Sequence, residues 1–358
     1  MDFELTEEQA MLREVSRSML SAHCPATAVR ALAESAGDLD EKLWRRGAEL
    51  GWTGLVVPEE AGGAGQGLVE LCLVAEELGR AVAPGPVVET ALVARALAAG
   101  ATGVAGDVLE GLLEGGLRAG WAHHGSVLMS VDGDDVVLDG AAAAVQAAGS
   151  VDVLLVSATG PDGDVLVLVD AASLGEVGLR RNAGLDQTRG WYDVSFTGTC
   201  LPRDRVLVCE PAEVRWYLDA AMVLVAADAL GAGEALLAMT VQHALVREQF
   251  GRPLGAFQSV KHKLADMLTI TKGVRASTYY AAMALDSGAA DASLAASVAK
   301  AFSGPEIARL AGEALQTHGG IGFTWEHDLH LYLRRAKVDE ARHGSPAELH
   351  ERIVALIE

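Results

Sequence analysis

The chain has 358 residues, half of them hydrophobic, with 28 Lys and Arg against 49 Asp and Glu for a formal net charge of −21. That length admits two or three domains at roughly 100–200 residues each, with a sizeable core. The acidity would repel a polyanion such as DNA, and no basic stripe with interleaved aromatics offsets it, so a nucleic-acid partner is excluded.

The start, MDFELTEEQAMLRE, has neither a basic n-region nor an apolar h-region of a signal peptide. The longest apolar stretches look broken by charges or glycines well short of the ~20 residues a membrane span needs. Cys24, Cys72, Cys200 and Cys209 form no C-x-x-C pair and no His cluster has metal-ligand spacing, so free thiols and a reducing, cytosolic compartment are expected.

Residues 1–115 read as helices. Thr6-Glu7-Glu8-Gln9 fits a capping box, and Leu12, Val15 and Met19 follow at helical spacing. In LVELCLVAEELG, Leu68, Leu71, Ala75 and Leu78 share one face, and Gly79 can end the helix. GWTGLVVPEEAGGAGQG (51–67) is a turn-rich loop, because Pro and clustered Gly cannot continue a helix.

Residues 116–210 change period. VLMSV and VVLDG flank an Asp-Gly turn (127–140), and VDVLLVSATGPDGDVLVLVD (151–170) repeats the arrangement with a longer turn. In WYDVSF, Tyr192, Val194 and Phe196 alternate with polar neighbours, as in a half-buried strand. A small antiparallel barrel or sandwich is expected. Residues 211–358 are helical again, beginning with a long run that is apolar on more than one face and expects neighbours on several sides.

Four stretches resemble the acyl-CoA dehydrogenase superfamily: FELTEEQAMLREVSR near the start, LGWTGLVVPEEAGGAGQGLVELCLVAEELGR (50–80), LVREQFGRPLGAFQSVKHKLADM (245–267) and ALQTHGGIGFTWEHDLHLYLRRAK (314–337). The resemblance implies an α+β multidomain fold: an N-terminal helical domain (1–115), a small antiparallel β middle domain (116–210) and a C-terminal four-helix bundle (211–358). The implied reaction is α,β-desaturation of an acyl-CoA thioester. In that family a glutamate removes the α-proton and FAD accepts hydride.

By the same resemblance, REQFGRPLGAFQ (247–258) belongs to the adenosine and pyrophosphate half of an FAD site. Arg247 resembles a pyrophosphate ligand, its fork suited to two phosphate oxygens. Gln249 adds a polar contact, Phe250 an apolar wall near the adenosine, and Gln258 a hydrogen-bonding partner. Gln316, Gly319 and Gly320 complete the set, since glycines let backbone N–H groups approach a phosphate.

The flavin half departs from the family pattern. No Thr-Glu-Pro or Gly-Ser-Asp stretch occurs in 116–140, where His123, His124 and Ser126 read as loop residues. Arg342-His343-Gly344-Ser345 stands where a Tyr-Glu-Gly-Thr-like turn would carry the base, with His343 read as a surface histidine. Ala221 falls near the other known base position, and the spacing of Asp219 and Asp228 fits neither. The retained and missing halves resemble the short subunit of actinobacterial heteromeric α2β2 acyl-CoA dehydrogenases. A longer partner would then bring the cradle, the glutamate and most of the acyl-CoA site, with an electron-transfer flavoprotein as acceptor and a steroid side-chain CoA ester as a candidate substrate. Two alternatives stay open. One is a self-sufficient homotetrameric flavoenzyme using His343, and the other is a flavin-free scaffold or CoA-ester lyase of this fold.

Overall fold

The computed structural model describes residues 4–100, 103–207 and 210–358. Cys209 lies outside them, and Cys24, Cys72 and Cys200 are free thiols. An N-terminal set of helices, a central β domain rich in antiparallel pairs and a C-terminal helical bundle follow one another. By contact the chain divides into two compact units. The first is Met1–Val29, Leu68–Ala83 and Leu218–Glu358; the second is Arg30–Gly67 and Pro84–Tyr217. The helices of 1–115 are therefore shared between units: α1 (Glu7–His23) and α4 (Leu68–Arg80) fall mainly in the first, and α3 (Glu41–Glu49), α5 (Val87–Ala98) and α6 (Val104–Leu113) in the second, while α2 (Ala26–Glu34) spans the division.

The capping box at Thr6 forms: its hydroxyl accepts from the Gln9 N–H at 3.2 Å, and its own N–H donates to Gln9 Oε1 at 3.0 Å. The inward face of α1 differs from the expected one. Ser16 and Leu20 are buried, whereas Val15 is exposed. All four expected residues of α4 are buried, but so is nearly everything else on that helix, including Glu76 and Glu77. Gly79 does not end α4. A Cβ there would lie 1.9 Å from the Asp228 carbonyl oxygen, and a Cβ on Gly231 would lie 1.8 Å from that of Glu76. The two glycines let α4 and α8 (Pro211–Val246) touch backbone to backbone.

The carboxylates buried by that contact are paired. Arg275 donates to Glu76 (2.7 and 2.9 Å) and Glu234 (2.7 Å), Tyr279 Oη to Glu76 (2.8 Å) and Arg17 to Glu77 (2.7 Å). Buried charges need such partners. By length and composition α8 is apolar enough to cross a membrane, contrary to the sequence reading, but most of that apolar window is buried inside the protein.

In the second unit β1 (Ala119–Ala122), β2 (Gly125–Asp132), β3 (Asp135–Gln146), β4 (Val153–Gly160), β5 (Gly163–Asp170), β6 (Leu179–Asn182), β7 (Trp191–Pro202) and β8 (Val206–Leu207) form one sheet, with a single helical turn α7 (Gly175–Gly178) before β6. Both expected hairpins form, β2–β3 around Gly133 and β4–β5. The sheet is not wholly antiparallel: β1 runs parallel to β4, and β2 meets β4 in parallel at Leu128 and Thr159. The fully buried β1 carries no alternation to mark it in the sequence. Val194 and Phe196 of β7 join the core as their alternation predicts.

After α8 come the two-residue strands β9 (Glu248–Gln249) and β10 (Arg252–Pro253), then α9 (Gln258–Asp286), α10 (Ala292–His318), α11 (Leu329–Ala341) and α12 (Pro346–Ile357).

Candidate functional site

The stretch REQFGRPLGAFQ folds as a tight hairpin between α8 and α9. Gln249 pairs with Arg252, and Glu248 with Pro253. Phe250 and Gly251 make the turn with φ of 53° and 77°. Two positive φ values match the twist of a two-residue hairpin, which glycine adopts freely and phenylalanine does not. The strained Phe250 points its ring outward, 92% exposed. Behind it the Arg252 guanidinium lies 4.1 Å from the centre of the Phe257 ring.

Two side-chain links bring the other candidates to this hairpin. His243, one turn before Arg247, stacks on His318 with ring centres 4.4 Å apart, placing the end of α8 beside the end of α10. Lys263 donates to Glu313 at 2.6 Å, placing the first turns of α9 beside the last of α10. Arg247, Gln249, Phe250, Gln258, Gln316, Gly319 and Gly320 therefore share one end of the C-terminal bundle.

Their side chains are turned outward. Among the described residues, those of Arg247, Gln258 and Gln316 have no hydrogen-bond or ion-pair partner. Gln249 Nε2 reaches only the Glu248 carbonyl, at 2.9 Å. Gly319 ends α10 with φ 64°, so glycine suits the backbone there. Gly320 has no positive φ, and a Cβ on it would meet nothing within 4 Å. The fold thus gives no reason for glycine at 320, whereas a phosphate approaching the backbone would. Arg334 covers the exposed Trp325 at 4.8 Å, and Phe323 beside it is 75% exposed. Open donors, an open glycine and outward aromatic rings fit the dinucleotide half of FAD.

His243, His318, His327, Phe323 and Trp325 were not singled out from the sequence. The signal available was position: His318 interrupts Gln316 and Gly319, and His243 precedes Arg247 by four residues. Burial lowers the His318 and His243 pKa values, and the neighbouring imidazoles lower both further. A cavity of about 500 Å³ in the same unit is lined by Arg13, Arg17, Glu234, Lys272, Arg275 and Tyr279 among others, and contains none of the seven candidates.

The base positions are occupied otherwise. Asp219 is 1% exposed, accepts from Ser293 Oγ and pairs with Arg352. Asp228 pairs at 3.2 Å with Arg335, which is fully buried and also donates to the Ala83 carbonyl at 3.0 Å. Ala221 is buried on α8. His343 sits in the turn between α11 and α12 with φ 54°, and it is half-buried rather than fully on the surface.

In the β domain His123 and His124 connect β1 and β2, and the His123 ring stacks on Trp121 at 4.2 Å. Ser126 lies within β2, opposite Ala141, and not in a loop. A cavity beside β1, lined by Trp121, Leu155 and Tyr217 among others, measures about 10 Å³, far too small for a flavin ring.

Residues 6–115 match the model of the acyl-CoA dehydrogenase N-terminal domain, and residues 214–356 that of the acyl-CoA dehydrogenase C-terminal domain. The chain belongs to the acyl-CoA dehydrogenase family. It is 36% identical over 355 residues to acyl-CoA dehydrogenase IpdE2 of Mycobacterium tuberculosis, covering 97% of this chain and 96% of that one. The steroid ACAD Tcur3481–Tcur3483, as a G363A variant, superposes with a TM-score of 0.89 at 33% identity, covering 98% of each chain. The ChsE4–ChsE5 complex from Mycobacterium tuberculosis superposes with a TM-score of 0.91 at 27% identity, covering 100% of this chain and 99% of that one. As a family member the protein is an oxidoreductase type acting on acyl-CoA, with flavin as the family's cofactor.

Proposed function

We propose that this chain is one subunit of a heteromeric FAD-dependent acyl-CoA dehydrogenase and supplies the adenosine and pyrophosphate half of each flavin site. A longer subunit of the same family, in an α2β2 assembly, brings the flavin cradle, the catalytic glutamate and most of the acyl-CoA site. The observation that carries this reading is an asymmetry. The dinucleotide donors stand open at one bundle end, while the two carboxylates flanking Ala221 on α8, Asp219 and Asp228, are spent in ion pairs. The ChsE4–ChsE5 relative, a complex of two named chains, supports the two-chain part. The steroid designation of Tcur3481–Tcur3483 supports a steroid side-chain CoA ester as substrate. An electron-transferring flavoprotein is the proposed acceptor.

When bound, FAD supplies the hydride acceptor for α,β-desaturation. This chain's own part is binding and orientation. The Arg247 fork donates to two pyrophosphate oxygens. The Gln249, Gln258 and Gln316 amides offer both donors and acceptors to the adenosine half. Phe250 walls the adenosine and excludes water, and the Gly319–Gly320 backbone N–H groups approach the phosphates. No group here needs to move the α-proton.

The test is the visible spectrum and FAD content of the chain, alone and co-expressed with a full-length family member. The expected result is a colourless single chain and a yellow complex with about one FAD per two chains, as a symmetric shared site requires. Close to one FAD per chain in the isolated protein would overturn the reading and direct attention to His343 as base. A complex that forms without any flavin would favour a scaffold.

A further inference from the structure

We propose that His318 and the His243 ring stacked on it form the proton-binding element of the FAD half-site, so that dinucleotide binding there takes up a proton. This rests on reading that bundle end as an FAD site.

His318 is the last residue of α10, directly before Gly319 and Gly320, and is 5% exposed. Its Nδ1 lies 2.8 Å from the Ala314 carbonyl oxygen. A carbonyl only accepts, so Nδ1 carries the proton of the neutral ring. That leaves Nε2 as a buried lone pair, and it has no hydrogen-bond partner among the described residues. His243 stacks on this ring with 26° between planes, and its carbonyl accepts from the Arg247 N–H at 2.9 Å. His327 meets the His318 ring edge-on, with ring centres 4.8 Å apart. Its Nδ1 accepts from the Leu329 N–H at 3.1 Å, so its own proton is on Nε2. The buried acceptor therefore sits between the segment carrying Arg247 and the segment carrying Gly319 and Gly320.

The charged and titratable groups named around the stack come from the ends of α8, α9 and α10 and from the stretch before α11. Arg247 ends α8, Lys263 of α9 pairs with Glu313 of α10, and His327 follows the Gly319–Phe323 turn with Glu326 and Asp328 beside it in sequence. Glu313 is neutralised by Lys263. Around the stack the Arg247 cation and the His327 imidazole oppose an added proton, while Glu326 and Asp328 lie beside His327 in sequence. Burial opposes it too.

Pyrophosphate at Arg247 and Gly319–Gly320 brings two negative charges against the same stack and reverses that balance. The bound state then holds its proton to higher pH than the free state. Between the two titration points each bound dinucleotide takes up as much as one proton, and affinity rises as pH falls. Above both points binding is independent of pH.

The experiment is calorimetric titration of FAD into the flavin-depleted complex, from pH 5.5 to 8, in two buffers of different ionisation enthalpy. The expected result is proton uptake that is absent at the alkaline end and approaches one per FAD between the two titration points, with Kd falling by about tenfold per unit decrease in pH where uptake is full. His318→Gln, whose amide can still donate to the Ala314 carbonyl, should remove most of the uptake and keep wild-type affinity at pH 8. A purely structural role would weaken binding equally at every pH. His243→Gln, on the less buried ring, gives the same readout should His318→Gln fail to fold. Tight FAD binding without proton uptake, or uptake unchanged in either folded variant, overturns the inference and leaves the half-site intact. Failure to bind FAD at any pH overturns the half-site reading, and this inference with it.

Discussion

Arg247→Ala separates a binding role from a folding role. The guanidinium is exposed and has no protein partner among the described residues, so its removal strands no buried group. The folding cost should stay within about 0.5 kcal/mol, as for ordinary surface substitutions. A hydrogen bond to a charged group contributes about 1.5–3 kcal/mol, which at an RT of about 0.59 kcal/mol is a loss of roughly 10–150-fold in FAD affinity. The assay pairs a thermal melt of the single chain with FAD retention by the co-purified complex. The melt should be unchanged within about 2 °C for a cost of this size, while FAD is lost on dilution or gel filtration. Wild-type FAD retention would refute the pyrophosphate assignment. A large drop in the melt would show that Arg247 serves the fold, and the argument from its open donors would fail.

The remaining expectations concern the partner's chemistry and the core. His343→Ala should leave turnover of the complex nearly intact, because the base is assigned to the other chain, and steady-state kinetics would show a loss if His343 were that base. Gly231→Ala must separate α4 from α8, because its Cβ would lie 1.8 Å from the Glu76 carbonyl oxygen. It should cost at least the 1–3 kcal/mol of ordinary overpacking, read from denaturant midpoints. Arg335→Met should destabilise by about 3–5 kcal/mol by removing the guanidinium from the buried Asp228 carboxylate, and Arg335→Met with Asp228→Leu should recover most of it. Lys300, buried on α10, has its pKa lowered from 10.5 to about 8, chiefly by burial. The unfolded chain thus binds more protons between those values, so stability should rise with pH from 8 to 10.5 and Lys300→Met should flatten that slope.

What was legible in the sequence depended on whether a residue's surroundings were local. The Thr6 capping box and the Asp-Gly hairpin involve neighbours a few residues apart, and both formed. Gly79 was misread as a helix end because its true constraint, the Asp228 backbone, is 149 positions away (228 − 79). The strand β1 was invisible because both its faces are buried. The apolar character of α8 was underestimated because Asp219 and Asp228 look like breaks in a sequence, whereas in the fold Arg352 and Arg335 neutralise them. The stacked histidines lay outside motif reading for a related reason. His243, His318 and His327 come from the end of α8, the end of α10 and the stretch before α11, and they meet only in the fold.

The same distinction decides what the family resemblance can say about function. The Glu-Glu-Leu-Gly stretch of α4 is spent on folding. Glu76 and Glu77 are buried and paired with Arg275 and Arg17, and Gly79 admits α8. Arg335, in the family-like stretch 314–337, is likewise buried in an ion pair. A protein of this fold keeps such residues whether or not it binds a flavin. Arg247, Phe250, Gln258, Gln316 and Gly320 have no such reason. They are exposed, four of them make no contact the fold needs, and Phe250 even holds an unfavourable backbone angle to face outward. Retention of residues that folding does not require argues for a ligand or a second chain at that surface. Loss of the acid–base group alone would suit a scaffold equally well. Loss of that group together with an open dinucleotide surface suits a chain that completes another chain's site.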